Sequence, residues 1–168
     1  MATRLLQPAV LDAIIGKLPP LTVAAVERAK LHCLDHGGEL AGMSLLVFAL
    51  LTKAARPTGA YDLIDDISGL VGRPITPPTV YRAIDALIAL KLVARLASRN
   101  AFVVCSHPGH RHDCVLLVCD RCGRTAELED QRLDKLILED ARRSGFELRH
   151  RTLEVEGTCH DCKPTAVC

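Results

Sequence analysis

The sequence predicts an α+β chain in two units: a helical unit closed by a β-hairpin, then a smaller mixed unit organised around paired cysteines. Three observations predict it. Between residues 21 and 91 apolar residues recur at helical spacing, with prolines and glycines marking the breaks. From Leu92 onward the pattern shortens to β-prone runs joined by polar turns. Two Cys-x-x-Cys pairs, Cys119/Cys122 and Cys159/Cys162, then stand with 36 residues between them.

The 168 residues are 49% apolar, enough to bury a core, but aromatics make up 3% and tryptophan is missing. The core must therefore be built from Leu, Val, Ile and Ala, and disorder is excluded. A net charge of +1 excludes a polybasic coat, yet the charge is unevenly placed. Residues 1–104 hold 11 basic and 8 acidic side chains, whereas residues 105–168 hold 10 and 12. Met1–Val10 has no apolar signal segment, and the longest apolar run, Leu45–Leu51, falls short of the roughly 18 residues of a membrane helix. A cytoplasmic protein with no membrane partner is expected. In that compartment eight cysteines point to metal rather than disulfides.

Residues 1–20 read as a leader broken by Pro8, Pro19 and Pro20, with a short amphipathic helix over Leu11–Leu18. Thr22 is expected to cap a helix through Val23–Leu34, which Gly37 and Gly38 end. Met43–Lys53 is a helix apolar around most of its surface, hence central. Thr58 is expected to cap the next, Ala60–Leu70, which stops at Gly72 and Pro74. Thr76-Pro77-Pro78-Thr79 opens another, with Val80, Ile84, Leu87, Ile88 and Leu90 on its apolar side. Prolines suit a helix's first turn because their missing N–H has no partner there. Leu92–Leu96 and Ala101–Cys105 form a hairpin around Ser98-Arg99-Asn100. Helices followed by a helix exposing Thr79, Tyr81, Arg82 and Asp85, then a hairpin, is the order of a winged helix-turn-helix. A plain helical module without a DNA role is the alternative.

Cys105–Cys114 is a loop broken at Pro108-Gly109, carrying His107, His110 and His112 between two thiols. Val115–Val118 and Arg124–Leu128 read as strands, Asp130 caps a helix over Gln131–Arg143, and Phe146–Glu156 reads as a third strand. The exposed edges of so small a sheet favour pairing with a second copy. The organisation is then a leader over residues 1–20, a first unit over 21–105, a hinge over 106–112 and a second unit over 113–168.

Each Cys-x-x-Cys spacing lets a tight knuckle turn two thiols toward one ion. Four soft ligands suit a closed tetrahedral Zn²⁺ site that stabilises the fold. The 36-residue interval exceeds a zinc ribbon's, so the intervening segment has structure of its own. Two disulfides are the competing reading. A catalytic zinc is not indicated: no His-x-Glu with Pro-Cys-x-x-Cys occurs, nor a nucleophile elbow or phosphate-binding glycine loop. Neither an enzyme nor a small-molecule substrate is expected. Cys33 reads as a packing residue and Cys168 as a tail thiol.

Pro78-Thr-Val-Tyr-Arg-Ala-Ile-Asp-Ala-Leu87 resembles the recognition helix of the ferric uptake regulator family, and Ala60-Tyr-Asp-Leu-Ile64 the helix before it. With Cys119-Asp-Arg-Cys-Gly123 and Gly157-Thr-Cys-His-Asp-Cys162, the resemblance covers roughly residues 25–162. The Pro-Pro-Thr-Val-Tyr-Arg and Cys-Asp-Arg-Cys-Gly forms, with Leu148-Arg-His150, are most similar to its zinc uptake regulator branch.

That resemblance implies a homodimeric, zinc-responsive repressor of zinc uptake genes, with a winged-helix unit that binds operator DNA and a dimerisation unit. It implies Tyr61 and Arg82 as base-contacting residues, with Thr79 and Tyr81 at the DNA surface. Arg82 suits the role, since a guanidinium donates twice to guanine. It further implies one structural zinc per chain and at least one regulatory zinc, the latter on Cys105, His112 and Glu127. The family's remaining ligand is a histidine where this chain has Ala94, so His107 or His110 is expected to substitute, the alternative being an open coordination position. Asp113, Cys114 and His150 are candidates for a further metal, although Cys114 also reads as a core thiol. The chain departs from the family again at Leu40-Ala-Gly-Met-Ser44, which lacks the usual basic residue. An iron or peroxide sensor of the same family, or a structural zinc protein without DNA binding, remains the alternative. Cys105 favours zinc as a soft ligand.

Overall fold

The computed structural model describes residues 7–105, 115–148 and 153–163, in two compact units that divide near residue 110. In the first unit, α1 (Pro8–Ile15), α2 (Pro20–Asp35), α3 (Gly42–Ala54), α4 (Ala60–Val71) and α5 (Pro77–Ala89) surround one apolar core. The all-round apolar run takes the centre: every residue of Leu45–Leu51 on α3 is buried. Leu11 and Ile15 of α1, Val26 and Cys33 of α2, Leu63 and Ile67 of α4, and Val80, Ile84 and Leu87 of α5 close around it. Cys33 is thus the packing residue its helical spacing suggests.

Two expected caps are corrected. α2 begins at Pro20 with Pro19 as its cap residue, and Thr22 lies inside the first turn, buried, its N–H bonded to the Pro19 carbonyl at 2.8 Å. Prolines open this helix because their fixed φ already matches it. Thr58 does not cap α4 either. It lies in a two-residue strand, β1 (Thr58–Gly59), and its hydroxyl donates to the Arg56 carbonyl. Gly59 takes the cap position, and its N–H is accepted by Asp62 Oδ2 at 3.3 Å.

β1 completes the wing. β2 (Val93–Leu96) and β3 (Ala101–Val104) pair antiparallel from Val93↔Val104 to Leu96↔Ala101, and β1 adds to the far edge of β3 at Thr58↔Phe102. A 3₁₀ turn over Ala97–Arg99 and Asn100 in the left-handed region (φ +47°) make the reversal. Asparagine tolerates that conformation through its short polar side chain.

The second unit is a three-stranded sheet with one crossing helix. β4 (Val115–Cys119) lies centrally, with β5 (Thr125–Leu128) antiparallel on one side and β6 (Leu153–Gly157) parallel on the other. α6 (Gln131–Arg143) makes the crossover that a parallel pair requires. Asp130 caps it as expected, accepting the Arg132 N–H at 2.8 Å, and the Arg132 guanidinium hydrogen-bonded to it holds its carboxyl down at about 2. The third strand starts later than its composition suggests. The Phe146 N–H returns to the Ala141 carbonyl and Gly145 takes φ +78°, so Phe146 belongs to the closing turn of α6.

Candidate metal centre and nucleic-acid interface

Parallel pairing explains the long interval between the two cysteine pairs. β4 and β6 run in the same direction in the register Cys119↔Gly157, so both chains leave the sheet at one end. Cys119 terminates β4, and Cys159 follows β6 by two residues. Each exit is then folded into a knuckle by backbone hydrogen bonds. In the first, the Cys119 N–H donates to the Arg124 carbonyl at 2.8 Å and the Gly123 N–H to the Cys119 carbonyl at 3.0 Å. Gly123 sits at φ +75°, a conformation that favours glycine. In the second, the N–H groups of Cys162 and Lys163 both reach the Cys159 carbonyl at 3.0 Å. Asp120 N–H to Gly157 O, at 2.9 Å, ties the two exits together.

The outcome is a cluster of four thiols, Cys119, Cys122, Cys159 and Cys162, whose sulfurs all lie within 4.8 Å of one another. Cys122 Sγ and Cys159 Sγ are 3.7 Å apart, far beyond the roughly 2.05 Å of a disulfide. A tetrahedral Zn²⁺ with Zn–S bonds of about 2.3 Å sets its sulfurs about 3.8 Å apart. The donor set and the spacing fit zinc, and all four thiols are free rather than paired in disulfides.

The cluster is electrostatically prepared for metal. Backbone N–H groups of Cys122 and Cys159, the latter 3.4 Å from Sγ, stabilise the Cys119 thiolate and bring its pKa down to about 6. Cys162 shows the opposite behaviour, pushed up to about 12 by hydrogen bonding to the Cys122 and Cys159 thiols. Four neighbouring thiolates repel unless a cation is among them, so the cluster is one that could take up a Zn²⁺ with loss of its protons.

The residues expected at a regulatory metal are distributed differently. Cys105 is buried at the end of the first unit, its N–H bonded to the Leu92 carbonyl at 2.9 Å. Glu127 stands half-buried on β5 of the second unit, in register with Leu116. Ala94, where a ligand is expected by resemblance, lies on β2. His107, His110 and His112 lie outside the described residues, as do Asp113, Cys114 and His150.

On the first unit, burial of Val80, Ala83, Ile84 and Leu87 turns Tyr81 and Arg82 of α5 outward, with Asp85 one turn further on. Thr79 is half-buried in the first turn, its hydroxyl 2.9 Å from that of Thr76. Tyr61, in the first turn of α4, is 68% exposed. Tyr61 and Thr79 thus lie in first turns and Tyr81 and Arg82 in the second turn of α5, and all but Thr79 have exposed side chains.

The architecture is that of a two-unit winged-helix protein with a four-cysteine cluster that could hold a metal. Residues 54–156 match the model of the ferric uptake regulator family. The zinc uptake regulation protein of Escherichia coli K12 is 30% identical over 148 residues, covering 88% of this chain and 86% of that protein. Among solved structures, holo XcZur is similar with a TM-score of 0.76 at 37% identity, over 83% of this chain and 96% of that one. A zinc uptake regulator complexed with zinc and DNA gives a TM-score of 0.77 at 30% identity, over 86% and 96% of the two chains. The chain belongs to the ferric uptake regulator family.

Proposed function

We propose that this protein is a zinc-responsive transcriptional repressor that binds operator DNA as a homodimer and shuts off zinc uptake genes. As a member of its family it is a transcription regulator, not an enzyme. The observation that carries the zinc reading is the four-thiolate cluster, in a chain whose similar relatives are zinc uptake regulators. Among the described residues no helix is long and apolar enough to cross a membrane, which accords with a cytoplasmic site of action.

Cys119, Cys122, Cys159 and Cys162 hold the structural zinc, whose chemistry is to neutralise four clustered thiolates. Cys105, His112 and Glu127, with His107 or His110, hold the regulatory zinc, and its occupancy selects the arrangement of the dimer that binds DNA. Moving a two-state protein from 1:99 to 99:1 takes about 5.5 kcal/mol of differential binding, within reach of one such site. Tyr61 and Arg82 read bases, while Thr79 and Tyr81 contact the DNA surface.

Support for the homodimer comes from apolar side chains that the second unit does not cover. α6 has no fully buried residue, its Leu133, Ile137 and Leu138 being only half-buried, and Leu117, Leu128, Leu136, Phe146 and Val155 are all exposed. A second copy is the partner that would remove them from water.

Metal content tests the two-site reading. The purified protein is expected to hold two zinc ions per chain, one lost to mild chelation and one retained until denaturation. A single class of ion, or iron in place of the removable zinc, would contradict it.

A further inference from the structure

The thiols account for only part of how the two knuckles meet. Among the described residues, three side-chain contacts cross from one to the other besides the Asp120–Gly157 backbone bond. Arg124 Nη1 lies 2.6 Å from Asp161 Oδ2. Arg121 Nη1 donates to the Cys162 carbonyl at 3.3 Å, and the Thr158 hydroxyl donates to Asp120 Oδ1 at 3.2 Å. Their partners are far apart in sequence, so these contacts exist only while the knuckles are closed. Two of the three act on the turn Asp161-Cys162, which completes the thiol set.

Burial of the thiols shows where this matters. Cys119 is buried at the end of β4, Cys159 and Cys162 are half-buried, and Cys122 is exposed. A competing ligand therefore meets Cys122 of the first knuckle first, then the half-buried Cys159 and Cys162 of the second. Exchange of a four-coordinate zinc requires one thiolate to leave. Whether it returns or is replaced depends on how firmly its knuckle is held. Groups behind first ligands commonly change metal affinity ten- to 100-fold when removed.

We propose that Asp120, Arg121, Arg124, Thr158 and Asp161 form a polar latch that positions the second knuckle over the ion and sets how slowly the protein surrenders zinc. The inference rests on the four-thiolate zinc reading above. A simpler role for the arginines is charge compensation, because Zn²⁺ with four thiolates carries −2 and Arg124 lies within Coulomb reach of Cys159 and Cys122. The two roles differ at Asp161. Deleting a carboxylate beside a dianionic centre relieves repulsion and slows release under charge compensation, but opens the latch and speeds release here.

The test uses the full chain after mild chelation, with the rate of transfer of the remaining zinc to a chromogenic pyridylazo chelator as readout. Asp161→Ala and Arg124→Ala are each expected to release zinc about tenfold faster than wild type, and the double variant no faster than either single one. The exchange Arg124→Asp with Asp161→Arg is expected to return the rate to within about threefold of wild type. Slower or unchanged release from Asp161→Ala, or an exchange variant as fast as Arg124→Ala, would overturn the latch. Wild-type protein with no tightly held zinc would instead overturn the four-thiolate reading beneath it.

Discussion

Replacing Cys119 with serine is expected to strip the retained zinc from the chain, unfold the second unit and leave the first unit folded. The reason is the distribution of core. Buried apolar residues of the first unit run from Leu11 to Phe102 in one cluster. Among the described residues of the second unit they are confined to β4, at Val115, Leu116, Val118 and Cys119, while α6 has no fully buried residue. A unit with so little apolar burial requires a staple. Structural zinc provides about 10–16 kcal/mol in small zinc-dependent domains. Serine removes the thiolate that three backbone N–H groups stabilise, and the one cysteine of the set that is buried. Metal analysis, circular dichroism and sedimentation check the result together. Loss of one zinc per chain, partial loss of ordered structure and loss of the dimer are the expected set. A Cys119→Ser protein that keeps its tight zinc and sediments as a dimer would contradict the structural role.

Arg82→Ala is expected to weaken operator binding by about 10- to 100-fold while leaving the fold intact. A bidentate arginine–guanine contact is worth about 1–3 kcal/mol of discrimination. Arg82 is exposed on α5, with core packing handled by Val80, Ala83, Ile84 and Leu87, so truncation costs the helix nothing structural. The comparison between operator and random duplex identifies the kind of contact. Loss confined to the operator marks base reading, and equal loss on both marks a phosphate contact. Unchanged affinity for both would remove Arg82 from the interface and favour a zinc protein without a DNA role.

How much of this was legible in the sequence depended on how local each determinant is. The all-round apolar run Leu45–Leu51 identified the central helix because its burial follows from composition alone. Asp130 before Gln131 identified the start of α6, since a cap needs only its own turn. The outward direction of Arg82 followed from the spacing of the apolar residues beside it. Thr22 and Thr58 are both good cap residues overridden by a stronger determinant, the adjacent Pro19-Pro20 in one case and long-range pairing with Phe102 in the other. β1 is two residues long and exists through its partner β3, so no periodicity could reveal it.

The metal centre divides in the same way. The Cys-x-x-Cys spacing announced both knuckles, but their meeting depends on β4 and β6 lying parallel in one register, which no local pattern encodes. The same register brings Arg124 to Asp161 and Thr158 to Asp120, and although three of the four stand inside the cysteine motifs, no local pattern pairs them. Cys105 and Glu127 were singled out by resemblance alone, and they lie in separate units.

Zinc-dependent DNA binding is the central claim, and a buffered titration tests it most directly. An operator duplex is first selected from random-sequence DNA with zinc-loaded protein. Its affinity is then measured by gel shift across buffered free Zn²⁺, with the structural zinc retained throughout. Tight binding is expected only above a threshold of free zinc, reversed by chelation and not restored by Fe²⁺ or Mn²⁺. Equal affinity of the depleted and zinc-loaded dimers would contradict the account.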